Sequence, residues 1–350
     1  METRKIQKLG YSSLVVSLPK KWADQIGLKP GDSVFIKTDN GGLRVLPSMD
    51  TTLEREKRRR YVINTDIIFE EGIIERMLTG NYILGHDTVQ FISQKGRVQP
   101  KHMDEIRRVV NRINGVGIVE QSLKLVTVQS FIDPTKFPVK GLMQRIYVIL
   151  TSMLDAVIRG AVEGDYDMIQ EVNHMENEVD RLYWLIVRQL LLSQRNREIA
   201  KAMGIDSTLH IVGNRTIAKS LEEMGDRMEE IANELMEARD KNISQYLDIL
   251  KEIEAFKDKI KEILDHSMEA FFSLDVNIAN TVINKSEEVK QQSKAIDKKI
   301  FEKVSEPLLA STLKLIITNL LQIAKHLGGI AEITINRNLE EPSKLCEWKE

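Results

Sequence analysis

Cysteine is nearly missing from these 350 residues, with Cys346 the only one. No intramolecular disulfide can form and no cysteine-based zinc motif can be assembled, which fits a reducing compartment. A signal-peptide stretch is missing as well: Met1-Glu2-Thr3-Arg4-Lys5 goes straight into alternating sequence, and the apolar run from Leu308 to Ala324 is interrupted by Lys314. The expectation is a cytoplasmic chain with no membrane-spanning segment. There is no Gly-rich phosphate loop of the Walker type and no nucleophile with its base, and Gly115-Val116-Gly117 lacks the third glycine of a dinucleotide fingerprint. With no group to fill a catalytic slot, no enzyme is expected.

What is present is enough apolar sequence to fold, 42% against 29% charged, at a length that implies two or three domains. Net charge is only -2, yet it is uneven: residues 1–60 carry 13 Lys/Arg against 7 Asp/Glu, and residues 140–238 carry 11 against 17. A basic head thus joins an acidic body, as in a nucleic-acid-binding head on a non-binding sensor, although small basic domains also occur without that role.

In residues 1–47, Lys5 to Val16 alternates loosely around Gly10, which predicts two strands. Pro19 then opens a two-turn helix, Lys20 to Ile26, that Gly27 closes. Lys29-Pro30-Gly31-Asp32 has the Pro and Gly of a type II turn, and Asp39-Asn40-Gly41-Gly42 joins two further strands. So short a unit cannot bury enough apolar surface alone and should pair with a second copy. Ser17-Leu18-Pro19-Lys20-Lys21-Trp22 followed by Gly27-Leu28-Lys29-Pro30-Gly31-Asp32-Ser33-Val34 resembles the swapped-hairpin domain of SpoVT/AbrB proteins. The resemblance implies an interleaved homodimer with a basic face on double-stranded DNA, or the antitoxin half of a toxin pair, and the matching basic positions here are Arg4, Lys5, Lys8, Lys20 and Lys21. The rival reading is a solvated basic face on a module that only dimerises.

Residues 48–138 begin with a charged connector ending Lys57-Arg58-Arg59-Arg60. Strands at Tyr61–Asn64, Val89–Ser93, Val116–Glu120 and Lys124–Ser130, with helices at Ile67–Thr79 and Met103–Ile113, predict a small α+β domain with its helices on one sheet face. It offers no chemistry, and His86 and His102 read as surface or satisfied side chains.

Residues 139–340 predict six helices, near 139–163, 166–193, 206–239, 243–273, 276–303 and 306–337, forming two three-helix repeats at about 139–239 and 243–338. Apolar stripes such as Ile146, Ile149, Leu150, Met153, Val157 and Leu309, Leu313, Ile316, Leu320, Ile323 face a core, with Met143, Met224 and Met228 as filler. Two carboxylate pairs, Glu176 with Asp180 and Glu222 with Asp226, stand at i,i+4 and repel unless a cation neutralises them. Spacing alone is weak, because about eight such pairs arise by chance in a chain this acidic. The surroundings are more specific. Gly164-Asp165 with Glu176-Asn177-Glu178-Val179-Asp180, and Ser220-Leu221-Glu222-Glu223-Met224-Gly225-Asp226-Arg227 with Ile231-Ala232-Asn233-Glu234, resemble the acidic motifs of the PhoU family.

That resemblance implies control of phosphate uptake through a phosphate transporter ATPase or another phosphate-signalling protein. It also implies metal on these acids, an Fe, Zn, Mn or Mg ion held by Glu176, Asp180, Glu222 and Asp226. In the second repeat the corresponding positions read as Ser293 with Asp297 and Leu321 with Lys325, so only one acid survives. Glu171-Val172-Asn173-His174 is a single Glu-x-x-His where a carboxylate di-iron oxidase needs two, which leaves His174 a surface residue. The whole reads as a multidomain chain: an AbrB-like swapped-hairpin β-domain, a small α+β domain, and an all-α PhoU-like bundle. Its expected role is a homodimeric, DNA-binding regulator of phosphate uptake. The alternative is an adaptor that controls a transporter by protein contact and uses the β-head only to dimerise.

Overall fold

The computed structural model describes residues 3–39, 42–46, 60–241 and 243–340, together with Pro342 and Glu347. Cys346, most of the connector including Lys57, Arg58 and Arg59, and part of the Asp39–Gly42 turn therefore lie outside the described residues. The chain divides into two compact units, Met1–Arg60 and Tyr61–Glu350.

The first unit follows the expected order of strand, strand, helix, strand, strand. Strand β1 (Gln7–Leu9) pairs antiparallel with β2 (Ser13–Val15), α1 spans Lys20–Ile26, and β3 (Phe35–Asp39) pairs antiparallel with β4 (Gly42–Leu46). Gly27 ends α1 at φ 72°, its N–H reaching the carbonyls of Ala23 and Asp24. Gly31 takes the positive φ, 96°, that the third position of the turn demands, and the Asp32 N–H closes it on the Lys29 carbonyl at 3.0 Å. The two ribbons are separate two-stranded sheets, and none of the described residues in this unit is buried.

In the second unit, β5 (Tyr61–Asn64), α2 (Ile73–Ile83), β6 (Thr88–Ile92), α3 (Pro100–Arg112), β7 (Val116–Gln121) and β8 (Leu125–Ser130) build the α+β layer, with strand order β5-β6-β8-β7. Strands β5 and β6 are parallel, as a helical crossover requires, and the other pairs are antiparallel. Helix α2 begins later than Ile67, the start the sequence pattern had suggested. Asn64 first caps a 3-10 turn over Thr65–Ile67, and the Asp66 carboxylate accepts from the Ser93 hydroxyl and the Gln94 and Lys95 N–H groups, so this stretch is committed to the strand ends before Gly72 (φ 82°) opens the helix. Of the two readings of His102, burial excludes the surface one: at 1% exposure the side chain lies in the core.

The bundle comprises α4 (Val139–Glu163), α5 (Tyr166–Arg195), the short α6 (Arg197–Ala202), α7 (Leu209–Glu237), α8 (Leu247–Ser273), α9 (Val276–Lys303) and α10 (Pro307–Asn338). The helix expected from residue 206 starts instead at Leu209, after α6 and Gly204 at φ 73°. Both predicted stripes are buried almost throughout, Ile149 being half-buried, and Met143, Met153, Met224 and Met228 are fully enclosed.

Aligning the helix N-caps Asp165 and Asp275 superposes the buried positions of α5 and α9, Ile169 on Ala279 and Val179 on Val289. In the same register Tyr147 corresponds to Lys257 and Asp155 to Asp265. The contacts across the repeat boundary are reciprocal: Tyr147 donates to Asp265 at 2.8 Å, and the buried Lys257 reaches Asp155 at 3.0 Å. The repeats therefore pack on each other as the two halves of a homodimer would.

The α+β layer is docked on α5. Arg188, 1% exposed, donates from Nη1 to the Tyr82 carbonyl and from Nη2 to Asp87, both at 2.6 Å, with its guanidinium over the Tyr82 ring. Arg195 reaches the Leu84 carbonyl at 2.9 Å, and Trp184 of α5 packs on the α+β core.

Candidate nucleic-acid face and acidic helical site

Arg4 and Lys5 precede β1, Lys8 lies within it opposite Leu14, and Lys20 and Lys21 begin α1 directly after Pro19. All five side chains are exposed. So are large apolar residues of the same unit: Ile6 is 67% exposed, Leu9 65%, Leu14 71%, Ile36 64% and Leu43 68%. A unit of this size with no buried residue among those described calls for a partner, since an isolated two-stranded ribbon is marginal and exposed apolar faces of this kind mark a partner surface.

The four predicted acids come together between α5 and α7. Glu176 and Asp180 rise from α5, Glu222 and Asp226 from α7, and Gly225 lets the helices approach: a Cβ there would stand 3.3 Å from Val179. Glu176 and Glu222 are buried, at 8% and 7% exposure. Glu176 is pushed up to about 8, by burial first and then by Asp180, Glu229 and Asp226. Burial also raises Asp180, against the pull of Arg112, and raises Glu222 and Asp226. Gly164-Asp165, part of the first motif, serves the backbone: Gly164 closes α4 at φ 73°, and the Asp165 carboxylate caps α5 by accepting the Met168 N–H at 3.0 Å.

Three participants escaped the sequence reading. Glu229 joins the cluster one turn beyond Asp226 and is raised by burial and by Asp226 and Asp180; following the acidic face one step further along α7 would have found it. Lys219 bonds Glu222 from the preceding turn of the same helix. Arg112, at the end of α3, binds Asp180 at 3.2 Å and Glu75 at 3.3 Å; it comes from the α+β layer, and no local pattern could have placed it there.

Among the described residues, no group of three or more carboxylate, histidine or cysteine side chains stands close enough together to hold an ion. Arg112 and Lys219 engage Asp180 and Glu222 instead. The donor chemistry still suits a hard cation. Glu176 and Glu222 are buried carboxylates, and burial first, then the neighbouring Asp180, Glu229 and Asp226, pushes Glu176 up to about 8.

The second repeat is corrected by the burial register. The positions equivalent to Glu176 and Asp180 are Ser286 and Lys290, not Ser293 and Asp297, because Ser286 is buried on α9 where Glu176 is buried on α5. On α10, Leu321 and Lys325 do take the places of Glu222 and Asp226. Two acids have become lysines, so this half has no carboxylate set for a metal. His174 is exposed, in keeping with its reading as a surface residue.

The PhoU domain model matches residues 143–235 and 242–336, more than half of the chain, and a model described as antidote-toxin recognition MazE, bacterial antitoxin, matches residues 7–52. Among solved structures, PhoU from Pseudomonas aeruginosa is 15% identical with a TM-score of 0.49, over 56% of this chain and 93% of that one. The phosphate transport system regulatory protein PhoU from Streptococcus pneumoniae is 14% identical with a TM-score of 0.49, over 58% and 94%. No curated protein sequence matches the chain. Two PhoU repeats filling the helical body, behind a MazE/AbrB-like head, make this chain a member of the PhoU family.

Proposed function

We propose that this protein is a cytoplasmic, homodimeric regulator of phosphate uptake that binds double-stranded DNA through its head. The observation that carries the reading is the head itself: five exposed cations, Arg4, Lys5, Lys8, Lys20 and Lys21, on a unit in which none of the described residues is buried and whose exposed apolar residues a second copy would cover. Phosphate contacts from those cations would supply salt-dependent affinity, and a two-fold dimer would favour palindromic sites. The family assignment supports phosphate uptake as the process regulated. The helical body is then the part that meets a signal or a phosphate-signalling protein such as a transporter ATPase. Glu176, Asp180, Glu222 and Asp226 are the residues that would hold a divalent or ferric ion, which when bound would neutralise them.

The experiment is a polarisation titration of the full chain on fragments of phosphate-transporter promoters at two salt concentrations, beside a light-scattering mass. The expected outcome is a dimer with sequence-selective binding that Lys20→Glu/Lys21→Glu abolishes while leaving the mass unchanged. Binding that is equally weak on every fragment would remove DNA from the reading and leave an adaptor that uses its head to dimerise, whereas selective binding that survives the double reversal would take the contact away from Lys20 and Lys21.

A further inference from the structure

The two protein cations among the clustered carboxylates are held in different ways. Lys219 bonds Glu222 from the preceding turn of α7, so it travels with the acid it serves. Arg112 belongs to α3 of the α+β layer and crosses to α5, where its Nη2 lies 3.2 Å from Asp180 Oδ2. Beside it, Arg181 of α5 donates to the Asn111 carbonyl at 3.0 Å. The last turn of α3 is thus tied to α5 by two arginines, one from each side.

The Asp180 contact is the easier of the two partners for Arg112 to give up. The Arg112 side chain is 46% exposed, and its Nη1 also reaches Glu75, at the start of α2, at 3.3 Å. Releasing Asp180 leaves the guanidinium hydrated and still paired, and a half-exposed ion pair of this kind contributes about 1 kcal/mol or less. Asp180 is placed differently. Its side chain is only 15% exposed and stands among like charges, so it gains from a closer, doubly charged partner. With Arg112 and Lys219 in place, no three of the described acids stand close enough together to hold an ion, so coordination has to draw acids inward, off these partners.

We infer that Arg112 is a latch that a metal ion opens: an ion held by Glu176, Asp180, Glu222 and Asp226 takes Asp180 from Arg112 and loosens the end of α3 from the bundle. The latch presupposes the acidic cluster as the metal site and owes nothing to the head. The coupling runs both ways, so whatever fastens α3 to α5 weakens the metal by the same factor that the metal loosens α3. Displacing Lys219 disturbs α7 alone, whereas displacing Arg112 carries the occupancy of the bundle site into the α+β layer.

The test is a titration of the full chain with Mn(II), followed by the electron paramagnetic resonance of the free ion, in wild type, Arg112→Gln and Arg227→Gln. Arg227 is near enough to Asp226 to act on its charge but is bonded to Glu230, so its loss removes the same charge without freeing an acid of the site. Arg112→Gln is expected to bind Mn(II) about tenfold more tightly than wild type, and Arg227→Gln no more than about twofold. Amide exchange gives the second readout. Mn(II) should speed exchange in the last turn of α3 in wild type and leave it unaltered in Arg112→Gln, where that turn is already loose, while α9 stays unchanged in both. Equal tightening in the two variants would mean that charge alone acts, and a last turn of α3 that stays protected with Mn(II) bound would mean that Arg112 keeps its hold on Asp180; either result overturns the latch. Failure of all three proteins to bind Mn(II) would instead overturn the metal reading of the acidic cluster, and the latch with it.

Discussion

His102 illustrates how one buried side chain ties the fold to pH. It sits in the α+β core, and burial holds its imidazole below the ordinary value of 6.5. As pH drops below about 6.5 the unfolded chain takes up a proton that the folded chain refuses. The unfolded state then binds more protons, and stability falls with pH until the folded-state pKa is passed. Above about 6.5 both states are neutral and the effect is absent. Glu176 works in the opposite direction, because a raised carboxyl makes the folded state the better proton acceptor between its unfolded value and about 8. The informative quantity is therefore a difference: the Tm of His102→Leu relative to wild type should rise between pH 7 and pH 5. Parallel Tm curves over that range would mean that His102 is not the titrating group.

At the scale of elements, the repeat sets two helix ends against each other. Gly164 closes α4 in the left-handed region at φ 73°, and in the N-cap register its counterpart at the end of α8 is Leu274, also left-handed at φ 57°. Glycine adopts this conformation freely, whereas a side chain with a Cβ costs about 1 to 2 kcal/mol there. Leu274 is 38% exposed, so its removal forfeits only part of a leucine's burial, and its carbonyl still accepts from Asn338. Leu274→Gly is expected to stabilise the protein by up to about 1 kcal/mol in a urea titration, the gain being limited by the greater freedom of glycine in the unfolded chain. A loss of stability would show that Leu274 packs more productively than its exposure implies. Element boundaries were legible in the sequence at Pro19, Gly27, Asp165 and Pro307, where a cap or a glycine ends the local pattern. They were not legible at Ile67, where a tertiary contact from Asp66 to Ser93 overrides local helical periodicity.

At the scale of the whole molecule, Arg188 fastens the α+β layer to the bundle, and Arg112 carries that docking into the acidic site. Removing the Arg188 side chain would leave the Tyr82 carbonyl without this partner in the interior and take the charge partner from Asp87. Asp87 is 42% exposed, which moderates the loss through solvation, and about 2 kcal/mol is expected. Arg188→Ala should therefore lower Tm and speed amide exchange in α2 and β6, while exchange in α8 and α9 stays unchanged. Uniform acceleration through both layers would mean that they unfold as a single cooperative block whatever holds them together.

The sequence by itself determined the class of each part. Alternation, turn residues and caps are local, and local chemistry specified the β-head, the α+β layer, the six long helices and the two acidic pairs. The buried faces of α4 and α10 were determined as well, because apolar spacing is read within a single element. Only the tertiary structure decided which acids meet. Convergence of Glu176, Asp180, Glu222 and Asp226 depends on the approach of α5 and α7 across Gly225, and the cation paired with Asp180 is Arg112 from another layer. The register of the second repeat was likewise settled by burial, which set Ser286 and Lys290 against Glu176 and Asp180.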